Sequence, residues 1–342
     1  MKLDAFTTRL KQALGLIRHW KKMKLCMQGG IDREQHFRSM LIKQIHAIEK
    51  GLCMPDFRLG FGAGRIDSMI GYMRLLSDGK SHADFEEIKM AVNALRRYSD
   101  VHEEAKYSTP AYDALKERIR QVLSEFENIT DDPNMAGVKT VRPYDVALDT
   151  AGFEKVLTTR HSVRDFAQDR PVDEDKLMHA IALARCAPSA CNRQTARVYI
   201  LDRSDFSLTE NWRGGVKGFI DVVDKLLIVT GQMAGYEDDE FFQYCISSGI
   251  YTGYLTLTLH AQGIGACVLQ RNLLEDSQWR RLKRNLQIPE NEQVICAVAV
   301  GMPKEEIKVP VSHRLPVDTV AKYVGPHYNR SSAPCGQTKA RI

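Results

Sequence analysis

Residues 241–270 read FFQYCISSGIYTGYLTLTLHAQGIGACVLQ, the longest apolar stretch of the chain. Glutamine, serine, threonine, glycine and histidine interrupt it, so it lacks the continuous apolar character of a membrane-spanning helix. Its first twenty residues are apolar on nearly every side, which predicts a helix in the protein interior. Gly263 and Gly265 follow, and a run typical of a strand comes next. The stretch therefore predicts a central helix that leads directly into a strand.

Short apolar runs on both sides of this stretch predict more strands. They are RVYIL at 197–201, KLLIVTG at 225–231 and QVICAVAVG at 293–301. Residues 173–186, DEDKLMHAIALARC, predict a helix, because acidic residues in the first turn favour the positive end of the helix dipole. Strands and helices in this order predict an α+β fold, in which helices pack on a sheet.

The first part of the chain has a different character. Leu10, Leu14 and Ile17 are spaced for one face of an amphipathic helix, and four further helical patterns follow before residue 130. Turn-forming residues then dominate 128–145, which predicts a linker. We predict a helical region at 1–137 and an α+β domain at 138–342, with a disordered tail after about residue 328.

The charge is concentrated at the N-terminus. The chain carries 48 basic and 43 acidic residues, but residues 1–30 hold seven of the basic ones and one acid. The rest is close to neutral, which argues against a surface for nucleic acid. Two interpretations of the basic segment stay open. It is either a helix packed on the protein with a solvated basic face, or an amphipathic helix over residues 1–25 that contacts an anionic membrane surface.

The cysteines favour a reduced compartment. None of the eight forms a CxxC pair, and several lie in apolar runs such as VICAVAV, which argues against a metal site or a disulfide framework. The first residues lack the apolar core of a signal peptide. We therefore predict a cytoplasmic protein without a transmembrane segment.

The segment RHSVR at 160–164 has the pattern of an anion site. In an extended chain alternate side chains point the same way, so Arg160, Ser162 and Arg164 converge on one side. Arginine forks match the oxygens of a phosphate, and serine adds a neutral donor. The alternative is an edge strand whose charges form ordinary surface ion pairs.

A second candidate is the loop APSACNRQ at 187–194. Pro188 ends the preceding helix, and Ser189, Asn192 and Gln194 then gather donors and acceptors just before a strand. Such a set suits the edge of a planar heterocycle. The alternative is a plain helix-to-strand turn, which favours the same residue types.

Two further motifs are weaker alone. The glycines of GIG at 263–265 permit close approach of a ligand to the backbone, or they end a helix as a C-cap. Arg314 lies in SHRLP at 312–316, a segment made rigid by its proline and by the proline of the preceding VPV.

Taken together in this order, the four motifs resemble those of the nitroreductase-like flavoprotein family. The resemblance covers about residues 153–324 and rests on RHSVRDF, APSACNRQ, GIGACVLQ and SHRLP. It implies an FMN-binding fold with a central mixed or antiparallel sheet, and a homodimer that binds FMN between its subunits. Thr195 and Ser312 depart from the family, where many members carry proline and some carry lysine.

The resemblance also implies which residues bind FMN. The phosphate would be held by the strip and by Arg314, and the ring and ribityl chain by the loop. The backbone after Gly265 would approach the ring from the other side, and Asn211 or Lys217 would contact it from the segment between two strands. The implied set is Arg160, His161, Ser162, Arg164, Pro188, Ser189, Ala190, Asn192, Gln194, Lys217, Val268, Leu269, Gln270 and Arg314.

The implied activity is that of an oxidoreductase in which NAD(P)H gives hydride to flavin N5 and a small acceptor takes it up. No side-chain acid or base is needed for this step, so no catalytic residue is assigned. Two alternatives stay open: a flavin-binding protein that has lost turnover, and a partner protein of polysaccharide biosynthesis. The second rests on a likeness of the N-terminal half to extensions on some bacterial members.

Overall fold

The computed structural model describes residues 2–77, 85–142, 147–209, 216, 218–270 and 277–324. Its helices are α1 (Lys2–Met27), α2 (Arg33–Leu52), α3 (Ala63–Ser77), α4 (Glu86–Glu104), α5 (Pro110–Glu125), α6 (Thr150–Thr159), α7 (Glu174–Ala184), α8 (Gln243–Ala261), α9 (Ser277–Asn285) and α10 (Val317–Val320). Its strands are β1 (Ala196–Asp202), β2 (Lys225–Gln232), β3 (Gly265–Gln270) and β4 (Glu292–Gly301). No helix among these residues is long and apolar enough to cross a membrane.

The four strands form one antiparallel sheet in the order β1-β2-β4-β3. The α+β prediction is therefore confirmed, and the sheet is the antiparallel one of the two expected forms. Each predicted strand is present; β2 and β4 are buried on both faces, whereas the edge strand β1 is mostly half-buried. Every residue of β2 is buried.

Helices cover the two faces of the sheet. Leu226 and Ile228 of β2 pack on one side with Trp279 of α9. Leu227 and Val229 point the other way and join a cluster with α7 and α8. This alternation along β2 is the period-two pattern of a strand. The apolar character of α8 is thus explained on its inner face by burial against the sheet.

Helices α2 to α5 bury a core of their own. It contains Leu41 and Ile45 of α2, Met69 of α3, Leu95 of α4 and Ile119 of α5. Side chains cap the N-termini of α2 and α5. Asp32 accepts a hydrogen bond from the amide of Gln35, and Thr109 caps α5 ahead of Pro110. This core is separate from the clusters of the sheet, and the N-terminal part of the chain is helical as predicted.

The C-terminal half of helix α1 packs on the rest of the protein. Met23, Cys26 and Met27 join Met233, Tyr236 and Tyr244 in a buried cluster beside the sheet. In contrast, Leu10, Leu14 and Ile17 are each about half exposed. The C-terminal part of α1 is therefore packed on the protein, whereas Leu10, Leu14 and Ile17 of its apolar face are not covered.

Candidate functional site

The strip at 160–164 lies along the free edge of β3. Helix α6 ends at Thr159, and the chain becomes extended at Arg160. Ser162 forms a parallel bridge with Ala266, and the amide of Val163 donates to the carbonyl oxygen of Ala266 at 3.0 Å. The strip is therefore an extended segment, as its alternating pattern predicted.

Glycines at two strand ends hold this strip in place. A Cβ at Gly265 would lie 3.1 Å from Phe166, and one at Gly301 would lie 2.7 Å from it. Phe166 is fully buried against these two positions. Gly263 has φ +75° and follows the end of α8. The GIG motif thus serves helix termination, which was its alternative explanation, and also permits close packing against Phe166.

The strip is electropositive. Among the described residues no carboxylate forms an ion pair with Arg160 or Arg164. Burial raises the pKa of the Cys267 thiol, and Arg164 and Arg160 act in the opposite direction, so both guanidinium groups lie near one thiol. Burial, Arg160 and His161 together lower the pKa of His260. Unpaired cations gathered on one edge favour an anionic ligand.

The loop at 187–194 holds an unusual backbone. Cys191, Asn192 and Gln194 have φ values of 51°, 53° and 49°, in the left-handed region that non-glycine residues rarely adopt. Ser189 accepts a hydrogen bond from the amide of Gln194 at 3.0 Å and closes the turn. Strain of this kind is retained where surrounding contacts enforce it, and it is frequent at binding sites.

Arg193 supplies those contacts. It is 2% exposed and forms two hydrogen bonds of 2.6 Å with the carboxylate of Glu240. It also donates to the carbonyl oxygens of Ala190 and Gly235, and its guanidinium lies 4.4 Å from the ring centre of Tyr236. Arg193 therefore fixes the loop to the turn that follows β2. No local pattern in the sequence distinguishes Arg193 from the other polar residues of the loop.

A cavity of about 120 Å³ opens beside the loop. Pro188, Ser189 and Gln194, which the resemblance assigned to the cofactor, line it. The other lining residues were not among those that the resemblance assigned to the cofactor, and most of them are isolated positions in α8 and β1 that carry no local signal. They are Arg185, Ala187, Thr195, Ala196, Arg197, Ser247 and Tyr251.

The other residues that the resemblance assigned to FMN differ in how far they are buried. Ala190 is half-buried beside the cluster that contains Met23, and Asn192 is exposed. Val268 to Gln270 lie in β3 and pair with β4, with Leu269 buried and Gln270 exposed. Asn211 and Lys217 lie outside the described residues.

The strip and the loop do not meet within the chain. Thr159, beside the strip, contacts His260 near the end of α8 at 2.8 Å, whereas the loop contacts Ser247 in its second turn. These two positions are thirteen residues apart on α8, which corresponds to about 20 Å along a helix axis. Arg314 donates to the carbonyl oxygen of Ser312 in a fully exposed segment. The two candidate regions therefore lie at opposite ends of α8 in the single chain.

Residues 157–208 and 219–302 match the Nitroreductase family. This part of the chain is similar to proteins of the Nitroreductase family. The match begins just before the strip and ends after β4, so it includes the loop, α8 and the sheet. No curated protein matches the chain.

Solved structures of nitroreductase-family proteins align with about half of this chain. A nitroreductase in complex with FMN from Desulfovibrio desulfuricans is 18% identical, with a TM-score of 0.44, over 51% of this chain and 96% of that one. An FMN-dependent nitroreductase from Clostridium difficile is 20% identical, with a TM-score of 0.41, over 52% and 99%. A family protein from Streptococcus pneumoniae is 19% identical, with a TM-score of 0.41, over 50% and 100%.

Proposed function

We propose that this protein is an FMN-dependent oxidoreductase that takes hydride from NAD(P)H and passes it to a small electron acceptor. The observation that carries the proposal is the pair of unpaired arginines on the strip, Arg160 and Arg164, within the part of the chain that matches the family. Bound FMN would supply the electron transfer between donor and acceptor. The chain would supply the groups that hold and orient it.

The residues present fit the parts of FMN. Arg160, Ser162 and Arg164 offer charged and neutral donors to the phosphate. The cavity beside the loop offers Ser189 and Gln194 to the edge of the ring. At about 120 Å³ it is smaller than the roughly 300–1,000 Å³ of most ligand pockets. It therefore suits one edge of the ring, and the rest of the ring needs a further wall.

We propose that a second copy of the chain supplies that wall. Ile246, Ile250 and Tyr254 form an exposed face on α8, 52%, 39% and 40% exposed. Two copies of α8 packed antiparallel on a two-fold axis would bring the strip of one protomer to the loop of its partner. The exposed segment of residues 311–324 could then reach across with Arg314. Each homodimer would hold two FMN.

The primary test is whether the purified protein binds flavin. We expect a yellow protein that releases FMN on denaturation and is bleached by NADH or NADPH without oxygen. A colourless protein that cannot be reconstituted with FMN would contradict the proposal. Flavin that stays oxidised with both nucleotides but is reduced by dithionite would identify a binding protein without turnover.

A second proposal concerns α1. Leu10, Leu14 and Ile17 face solvent on a helix whose sequence carries seven basic residues and one acid. An exposed apolar face with flanking cations is typical of a helix that lies on an anionic membrane surface. We propose that this part of α1 makes such a contact.

Sedimentation with vesicles tests this second proposal. We expect the protein to sediment with anionic vesicles at low salt, less at high salt, and not with neutral vesicles. Leu14→Asp should abolish sedimentation, whereas Leu75→Asp, on the exposed side of α3, should not. Equal recovery with and without vesicles would refute the contact.

A further inference from the structure

One polar group of the cavity has no assigned role, the hydroxyl of Ser247. Ser247 lies on α8 and is 4% exposed, yet it lines the cavity together with Ser189 and Gln194. Its neighbour Ser248 is fully buried, faces the sheet and donates to the carbonyl oxygen of Thr230 at 3.2 Å. Of the two adjacent serines, only Ser247 is placed to meet a ligand.

Ser247 ends a chain of three buried hydroxyl groups. The hydroxyls of Thr195 and Tyr236 lie 2.8 Å apart, and Tyr236 donates to the oxygen of Ser247 at 3.0 Å. Tyr236 has a single O–H proton, so Thr195 is the donor in the first bond. All three hydroxyls therefore point in one direction, toward the cavity.

The packing around the three hydroxyl groups fixes the direction of their hydrogen bonds. A Cβ at Gly235 would lie 2.5 Å from the methyl carbon of Thr195, so the glycine lets the Thr195 methyl pack there and leaves the hydroxyl toward Tyr236. The guanidinium of Arg193 lies over the Tyr236 ring and holds it from the other side. Thr195 and Tyr236 are both fully buried, so water does not compete for their hydrogen bonds.

The proton of Ser247 is left for a ligand. The serine oxygen accepts from Tyr236 and also from the amide of Ala190 at 3.5 Å. Among the residues that the structure describes, no acceptor takes the proton of Ser247. A buried hydroxyl proton without an acceptor is unfavourable, and here the open space next to it is the cavity.

We propose that Ser247 is a cofactor-binding residue that donates a hydrogen bond to an acceptor atom on the edge of a planar heterocycle in the cavity. A carbonyl oxygen or an unprotonated ring nitrogen fits this role. The inference rests on the proposed function, under which the heterocycle is the ring of FMN. Thr195 and Tyr236 act as positioning residues, because their hydrogen bonds align the hydroxyl of Ser247 as a donor.

The first experiment compares Ser247→Ala with the matched control Ser248→Ala, on protein stripped of flavin. Loss of one neutral hydrogen bond predicts about threefold to tenfold weaker binding. Because the contact is to the ring, Ser247→Ala should weaken FMN and riboflavin by the same factor. Ser248→Ala should leave both affinities unchanged, and circular dichroism would verify that both variants are folded.

The second experiment tests the hydrogen bonds that connect the three hydroxyl groups. Tyr236→Phe keeps the ring under Arg193 but removes the donor that aligns Ser247. We expect a smaller loss for both flavins, and a double variant with Ser247→Ala that binds no more weakly than Ser247→Ala alone. Losses that add fully, or a Ser247→Ala variant that binds like the wild type, would overturn the inference. A wild-type protein that binds no FMN would overturn the proposed function as well.

Discussion

At the scale of single residues, the strip is the feature whose charges are unbalanced. Arg160 and Arg164 lie near Cys267 without a carboxylate partner among the described residues. We expect Arg160→Ala, and separately Arg314→Ala, to weaken FMN roughly tenfold to a hundredfold, because each removes charge-assisted bonds to the phosphate. Riboflavin, which lacks the phosphate, should bind as before.

Titration of each variant with both flavins would measure this. Arg170→Ala is a matched control, because Arg170 is exposed nearby but donates to the carbonyl oxygen of Pro303. Equal losses for FMN and riboflavin would mean that the strip has another role.

A second residue-scale prediction concerns Glu240. Burial alone would raise its pKa, but hydrogen bonds from Arg193 and from the amide of Glu237 lower it below the ordinary value of 4.5. A carboxyl with a lowered pKa stabilises the folded state when ionised. This stabilisation is complete above the unfolded pKa, near 4.5, and it is lost as the pH falls through the folded pKa.

Urea unfolding at a series of pH values would measure the stabilisation that the Glu240 carboxylate provides. We expect Glu240→Gln to lower the free energy of unfolding by about 1–3 kcal/mol at neutral pH, and the difference from wild type to shrink below about pH 4.5. Glu305→Gln, which alters an exposed carboxylate, serves as the control. A difference that stays constant down to strongly acidic pH would show that the pair with Arg193 is not responsible.

At the scale of elements, the outer face of α8 carries Gly249 and Gly253. A Cβ at either position would meet nothing within 4 Å in the protomer. Leucine at 253 should therefore leave the fold intact, and it even has the higher helix propensity. If α8 packs on α8 of a second copy, Gly253→Leu keeps the two helices apart, and we expect a monomer.

Light scattering would measure the mass of this variant. Gly71→Leu is the matched control, because Gly71 is also an exposed helical glycine with open space around its Cβ. A Gly253→Leu protein with the mass of the wild type would place the contact between copies elsewhere.

At the scale of the whole molecule, the N-terminal part is attached by both apolar and charged contacts. Met23 and Met27 pack on Tyr236 and Tyr244, and Lys43 forms an ion pair of 2.6 Å with Glu237. His36 lies 3.0 Å from the carbonyl oxygen of Ala234. These contacts lie directly behind the loop and Arg193, so the helices support the candidate site from the inside of the protein.

We therefore expect the two parts to unfold together. Met27→Ala should lower the free energy of unfolding by about 2–5 kcal/mol, whereas Met54→Ala, at an exposed methionine, should change it by less than about 0.5 kcal/mol. Thermal unfolding would be followed by circular dichroism and by release of flavin. Two separate transitions, of which only one responds to Met27→Ala, would show independent parts. A shortened chain beginning at Val138 should lose stability for the same reason.

The sequence by itself determined the elements and part of the site. The burial of β2 and α8 follows from apolar runs of the right length, and the extended strip follows from its alternating residues, because both depend on neighbours along the chain. It also singled out Ser189 and Gln194, since their polar side chains cluster after Pro188.

The tertiary structure alone decided the rest. It separates the strip from the loop along α8, leaves Leu10, Leu14 and Ile17 of α1 exposed, and joins the hydroxyls of Thr195, Tyr236 and Ser247 by hydrogen bonds. It also fixes Arg193 to Glu240, 47 residues away along the chain. These features depend on which distant surfaces meet when the sheet and helices pack, and no local pattern of residues records that.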